Sequence, residues 1–362
     1  MKTLNWNRVI TYAGAFIALL IGSGFATGQE IMQYFAAYGY WGLLGLLFIL
    51  ILFLIIGTEL IDTGYEGEMA NPNDIYLEVC GPKIGQFYDY FSVFFLFLSY
   101  TVMVAGAQAT AVEQFASPAY IGGIILALAV IVTVFFGLNR IVDVIGKIGP
   151  AIVVLAIGVG SVSVLQNIEQ WPYAQEALEK ALATGQMSVA SSNFLFAAAS
   201  YVGFCVIWLS GFLSSLGRSL KNLREGRLSI IVGAGGFVLA CLIMMLAIFL
   251  SIGKVYDSQI PVLILAREIS PFLSLLFSLT IFLGIYTTAV PLLWNVCARF
   301  AKEKSKRYRW LTLVLGCLGA VIGLTIDFSR LVNVVYVLNG YVGFVFILFL
   351  TYRYVKRHFL KT

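Results

Sequence analysis

Histidine is all but missing from this chain, and the one present, His358, stands near the C-terminus. Imidazole-based acid–base catalysis and histidine-ligated metal centres are thereby excluded from the apolar segments. Charge is scarce as well. Asp, Glu, Lys and Arg make up 11% of the 362 residues, where a soluble domain carries about 25%. Cys80, Cys205, Cys241, Cys297 and Cys317 are few and scattered, so they form neither a disulfide framework nor a metal-ligand pattern. No hydrophilic stretch is long enough for a separate soluble domain. A cleavable leader is not expected, because Val9–Leu20 leads straight on into a longer apolar run. The net charge of +5 reads as membrane topology, not as a nucleic-acid footprint.

What is present is hydrophobic: 60% of the residues, with a mean hydropathy of +0.93. About 20 apolar residues cross a bilayer of about 30 Å, and the pattern predicts an all-α polytopic membrane protein with ten transmembrane helices. The expected spans are 8–37, 40–64, 83–115, 118–137, 140–166, 189–217, 226–253, 271–300, 309–327 and 329–355. The third is longer than a bilayer requires and is expected to tilt. With the N-terminus in the cytoplasm, 19 of the 23 Lys and Arg residues fall inside and Lys180, Lys254, Arg267 and Arg330 outside. This positive-inside bias places both termini in the cytoplasm of a bacterial plasma membrane. Tyr173–Ala183 is expected as a short interfacial helix outside. Lys254–Ser270, with Pro261 and the apolar run Val262–Ala266, reads as an outer lid or re-entrant segment, or else as an ordinary loop. The C-terminal cluster Arg353, Lys356 and Arg357 reads as an anchor at the lipid surface.

The first run contains Ile21-Gly22-Ser23-Gly24-Phe25, followed by Ala26-Thr27-Gly28-Gln29-Glu30. Each glycine costs a helix about 1 kcal/mol relative to alanine, and a Gln-Glu pair is expensive in lipid. The expectation is a helix broken at mid-depth, which is tolerated only in protein or beside a cavity. Its freed amides can hold an anion and its freed carbonyls a cation. The alternative is close packing through Gly14, Ala18 and Gly22.

Ten spans divide into five plus five, and the sixth is expected to be interrupted as well, at Ala197–Phe204, whose small residues end in Gly203-Phe204. Span eight adds Gly284-Ile285-Tyr286-Thr287-Thr288. The two hydroxyls are uncharged hard ligands suited to Na⁺, or each bonds a carbonyl one turn back in its own helix. Glu59, within span two, reads either as a proton carrier or as a fixed acceptor for amides freed at the sixth span. Glu30 is expected in the outer half-helix, facing an outward vestibule, where it either attracts a cationic or zwitterionic substrate or titrates.

These segments together resemble the amino acid–polyamine–organocation superfamily with the LeuT-type fold. More closely, Gly22-Ser23-Gly24-Phe25-Ala26-Thr27-Gly28-Gln29-Glu30 is similar to the bacterial YkvI-type membrane proteins. The resemblance implies one transmembrane transporter domain over 1–362. It comprises an inverted pair of five-helix repeats, 8–166 and 189–355, an external connection at 167–188, and broken helices one and six. It implies Na⁺ bound by the carbonyls of Ala18, Ile21 and Gly284 and the hydroxyls of Thr287 and Thr288. It further implies a substrate carboxylate on the amides of Ser23 and Gly24, beside Gly22 and Phe25. The span-six segment Ser200, Tyr201, Gly203 and Phe204 completes the substrate site, with Tyr100 of span three closing over it. Glu59, with Tyr65, is similar to the family's bracing glutamate, and Lys147-Ile148-Gly149-Pro150 resembles the family's span-five opening. The family's outer Arg–Asp gate has no counterpart, since position 30 is Glu.

The leading functional expectation is therefore a secondary active transporter of an amino acid or small amine, coupled to Na⁺ and working by alternating access. It uses no organic cofactor and catalyses no reaction, and its partners are its substrate and the bilayer, not nucleic acid. Proton coupling through Glu30 or Glu59 is the alternative for the same substrates. A non-transporting sensor on the same fold is the alternative from another class.

Overall fold

The first apolar run folds as three short helices: α1 (Trp6–Leu20), α2 (Ser23–Thr27) and α3 (Gln29–Tyr34). Between α1 and α2 the Gly22 N–H turns to the Leu20 carbonyl at 3.1 Å. The Ala18 carbonyl thus loses the donor that an unbroken helix would give it. Between α2 and α3, Gly28 takes φ 85°, a left-handed conformation that glycine adopts without steric cost. The computed structural model describes residues 4–67, 69, 71–136 and 142–360. Lys2, Arg140 and Lys361 lie outside the described residues, as do the side chains of Ser23 and of Lys147–Pro150.

The remaining helices are α4 (Tyr40–Glu66), α5 (Asp74–Phe115), α6 (Ile121–Phe136), α7 (Val142–Asn167), α8 (Ala174–Ala183), α9 (Phe194–Ser219), α10 (Leu223–Leu250), α11 (Ile252–Val255), α12 (Pro261–Ile269), α13 (Pro271–Phe300), α14 (Lys306–Thr325), α15 (Phe328–Leu331) and α16 (Val337–His358). A π-type turn over Val332–Tyr336 joins the last two. Among the described residues, eight segments are long and apolar enough to cross a membrane, with α15 and α16 joined as one of them. At 16 residues α6 is shorter, and the first run is interrupted, so length alone does not establish a count of ten. The expected third span begins earlier, at Asp74, and kinks at Gly81-Pro82, where Gly81 has φ 75°.

Two groups of helices pack within themselves. One comprises α1, α4, α9 and α10, and the other α5, α6, α13 and α14; α7 touches both, and α16 lies chiefly on α9 and α4. The expected interruption of span six is absent, and α9 runs unbroken from Phe194 to Ser219. Ala197–Ala199 favour helix, and Gly203 serves close packing instead of a break. A Cβ at Gly203 would lie 2.0 Å from the Gly340 carbonyl oxygen, and one at Gly343 would lie 1.8 Å from that of Gly203. Small residues let two backbones approach in this way.

The two ends of the bundle differ. One carries most of the basic residues. There Arg227 makes a bidentate pair with buried Asp62 at 2.9 and 2.8 Å, and Arg299 meets Asp89 at 2.6 Å. The other end is covered by α8, α11 and α12. The short helix expected at Tyr173–Ala183 is α8, and Lys254–Ser270 forms a helical lid over this end. Glu113 of α5 holds that lid by accepting from the Gln259 amide at 2.6 Å and the Ser258 hydroxyl at 2.7 Å. Gln33 and Asn333 add a second closure: Gln33 donates to the Ser329 carbonyl and Asn333 to Gln33.

Candidate functional site

A cavity of about 720 Å³ runs from Pro72, Asn73 and Arg299 at the basic end to the break between α1 and α2. Its deep wall brings Ala18, Ile21 and Gly22 together with Thr287 and Thr288 of α13. These are neutral oxygen donors. The Thr287 hydroxyl donates to the Gly284 carbonyl at 3.0 Å, as threonines in helices commonly do, and its oxygen lone pairs stay free to accept. Among the described residues no cluster of His, Cys, Asp or Glu could hold a metal ion. Carbonyl and hydroxyl oxygens without net charge suit a hard monovalent ion. Gly284 itself is turned to α7, where a Cβ would meet Ile152 at 2.4 Å, and it does not line the cavity.

The cavity ends at Trp208, whose ring stacks on Phe95 with centroids 5.4 Å apart and planes 7° apart. Beyond it an aromatic layer fills the space below the lid. Trp208 meets Phe204 at 5.4 Å, Phe204 meets Tyr201 at 5.0 Å and Tyr34 at 5.8 Å, and Tyr201 meets Phe35 at 5.1 Å. Phe25 packs on Phe237. Phe25, Tyr201 and Phe204 are thus gathered beside the break but are fully buried, one layer away from the open cavity.

The other residues singled out in the sequence are dispersed. The Tyr100 hydroxyl donates to the Gly316 carbonyl of α14 at 3.2 Å, so this ring faces away from the cavity. On the α5 side Ser92, Val93 and Leu96 line it instead. Ser200 and Gly203 face α16, and the Ser200 hydroxyl donates to the Val337 carbonyl at 3.3 Å. Trp208 lies one turn beyond Phe204 on the same helix face and lines the cavity, as expected of a ring that meets the substrate's side chain.

The two glutamates differ from expectation. Glu59 does not brace a break in α9. Its Oε1 accepts from Arg357 at 3.1 Å and Thr63 at 3.0 Å, with Arg353 at 3.4 Å. The C-terminal arginines are therefore turned inward to carboxylates, and are not simply a lipid anchor. Glu30 does not face a vestibule. It is buried, and its carboxyl lies against Gly24: a Cβ built there would sit 1.9 Å from Oε1.

No family model matches this chain. The chain is 25% identical over 347 residues to the uncharacterised membrane protein YkvI of Bacillus subtilis, covering 92% of this chain and 93% of that one. It is 23% identical over 340 residues to YyaD of the same organism, covering 92% and 94%. Among solved structures it superposes on MhsT in complex with L-phenylalanine, with TM-score 0.61, 15% identity, and 93% and 87% of the two chains covered. It also superposes on a mutant form of a manganese transporter of Eremococcus coleocola, with TM-score 0.57, 13% identity, and 95% and 78% covered. The inward-facing conformation of Mhp1 gives TM-score 0.51, 13% identity, and 96% and 77% covered. The chain thus has the LeuT-type fold, and its sequence relatives include the uncharacterised membrane protein YkvI and the uncharacterised protein YyaD.

Proposed function

We propose that this chain is a secondary active transporter of a small organic molecule, an amino acid or an amine, moved together with Na⁺ by alternating access. The observation that carries the reading is the cavity wall: the carbonyl-bearing break at Ala18–Gly22 and the Thr287–Thr288 pair line one and the same cavity. Irregular backbone at membrane depth beside a cavity is how transporters of this kind build a midplane site. The two packed helix groups supply rigid parts for movement. The cavity that opens at the basic end, with the lid end latched, corresponds to one of the two end states. With the basic end in the cytoplasm of a bacterial plasma membrane, this state is inward-facing. The fold neighbours MhsT, solved with L-phenylalanine, and Mhp1 support a small-molecule substrate.

The test is current across a solid-supported membrane carrying proteoliposomes, on exposure to a panel of amino acids and amines in NaCl and in KCl. The expected result is Na⁺-dependent current with at least one compound. Correctly folded protein that gives no current with any of them contradicts transport and favours a non-transporting sensor.

One observation favours a second reading, proton coupling. Glu30 is buried with Oε1 unpartnered and no ion-pair partner among the described residues. A proton carrier at this place would give currents that follow the pH gradient and ignore Na⁺.

A further inference from the structure

Glu30, on α3, is an ionisable side chain buried beside the short helix α2. Its residue is 1% exposed, its Oε1 has no hydrogen-bond partner, and no Lys, Arg or His pairs with it among the described residues. The carboxyl presses on Gly24, where any larger residue would collide with it. Beside it stand Tyr34 and Tyr201, both fully buried with rings 5.3 Å apart, and the Tyr201 hydroxyl is turned to the Glu30 carboxyl. Phe35 and Phe204 lie against Tyr201. A buried carboxylate without a counter-charge is costly, and aromatic faces around an anion are the surroundings that attract an organic cation.

We propose that Glu30 is a substrate-binding residue that supplies the negative charge at the break, and that the substrate is an organic amine without a carboxylate. This rests on the transporter reading above and names the substrate class of that same site. An α-amino acid would bring a second carboxylate to the start of α2, where the Glu30 carboxyl already lies, and two carboxylates in one dry site repel. An amine brings the missing cation. Its ammonium pairs with Glu30, and its apolar body meets the rings of Tyr34, Tyr201 and Phe204. Trp208 and Phe204 stand between this subsite and the open cavity, so the subsite is closed in the present state. The Na⁺ donors at Ala18, Ile21, Thr287 and Thr288 lie on the cavity side of those rings and are a separate set.

The experiment is thermal unfolding of the purified full chain in NaCl with matched pairs: phenethylamine against L-phenylalanine, isoamylamine against L-leucine, and tetramethylammonium as the smallest quaternary ion. The expected result is a rise in Tm with at least one of the cations and none with the amino acids. Glu30→Gln should abolish that response while keeping the wild-type response to Na⁺. Should Glu30→Gln fold poorly, Glu30→Asp, which draws the carboxylate back from Gly24, should weaken amine affinity about tenfold, the equivalent of about 1.4 kcal/mol. Stabilisation by an amino acid and not by its amine overturns the inference and leaves the transporter standing. An amine response that survives unchanged in Glu30→Gln overturns it too, as does loss of the Na⁺ response alone. No response to either series, with no current in the transport assay, contradicts both readings.

Discussion

The Arg357 guanidinium, on the last helix, lies 3.1 Å from Oε1 of Glu59, which is wholly buried in α4. Thr63 donates to the same oxygen at 3.0 Å, Arg353 stands at 3.4 Å, and the other face of Arg357 meets Glu66 at 2.9 Å. Nearby, Asp62 takes both arms of Arg227, and the ring of His358 lies 3.4 Å from it. The C-terminal helix is thereby fastened to α4 and, through Asp62, to α10.

Removing one partner of this network leaves the other with an uncompensated charge, which costs about 3–5 kcal/mol where both are fully buried. Arg357 retains some solvent contact, so Glu59→Gln should cost on the order of 2–3 kcal/mol. The check is the unfolding midpoint in detergent. Glu59→Gln combined with Arg357→Gln should recover part of the loss. A proton-carrying Glu59 would instead leave the midpoint unchanged and alter the pH dependence of transport.

The α9–α16 contact has no room for a methyl group. Gly203→Ala places its Cβ 2.0 Å from the Gly340 carbonyl oxygen, and backbone cannot yield as a flexible side chain does. Overpacking of this kind costs about 1–3 kcal/mol or more. Gly203→Ala and Gly203→Val should lower the folded fraction in size-exclusion chromatography progressively. Gly14→Ala, where a Cβ meets nothing within 4 Å, should be tolerated.

Two residues pin the lid. Glu113 accepts from Ser258, Gln259 and Ile260, so Glu113→Ala leaves buried donors unpaired, at about 1–3 kcal/mol. Amide hydrogen exchange at 258–263 should rise selectively. Gly28→Ala combines a left-handed backbone, worth about 1–2 kcal/mol for an L-residue, with a Cβ 2.7 Å from Val262 of the same lid. It should loosen the same segment.

The architecture was legible where composition and glycine spacing act locally. The break at Gly22, the short helix Ala174–Ala183 and the apolar spans all follow from residues a few positions apart. The continuity of α9 was not legible. Gly203 looks the same in sequence whether it breaks a helix or admits a neighbour, and the partner that decides, Gly340, is far away in the chain. For the same reason Tyr100 was read toward the substrate when its hydroxyl belongs to Gly316. The pairing of Glu59 with Arg357 joins residues from the second span and the C-terminal tail, and no periodicity announces it. Thr287 and Thr288 beside the break were anticipated from their hydroxyls and its freed carbonyls, and the particular carbonyls of Ala18 and Ile21 through the family resemblance.

The Na⁺ site is read out by the effect of Na⁺ on the Tm of the wild type and of Thr287→Ala/Thr288→Ala, in NaCl against KCl at equal ionic strength. A ligand that binds only the folded state at a hundredfold excess over Kd adds about 2.7 kcal/mol. The expected result is a Na⁺-specific rise in the wild type that the double variant loses while keeping its stability in KCl. Equal stability of the wild type in both salts, or a Na⁺ response that the double variant retains in full, would contradict a Na⁺ site between the break and α13.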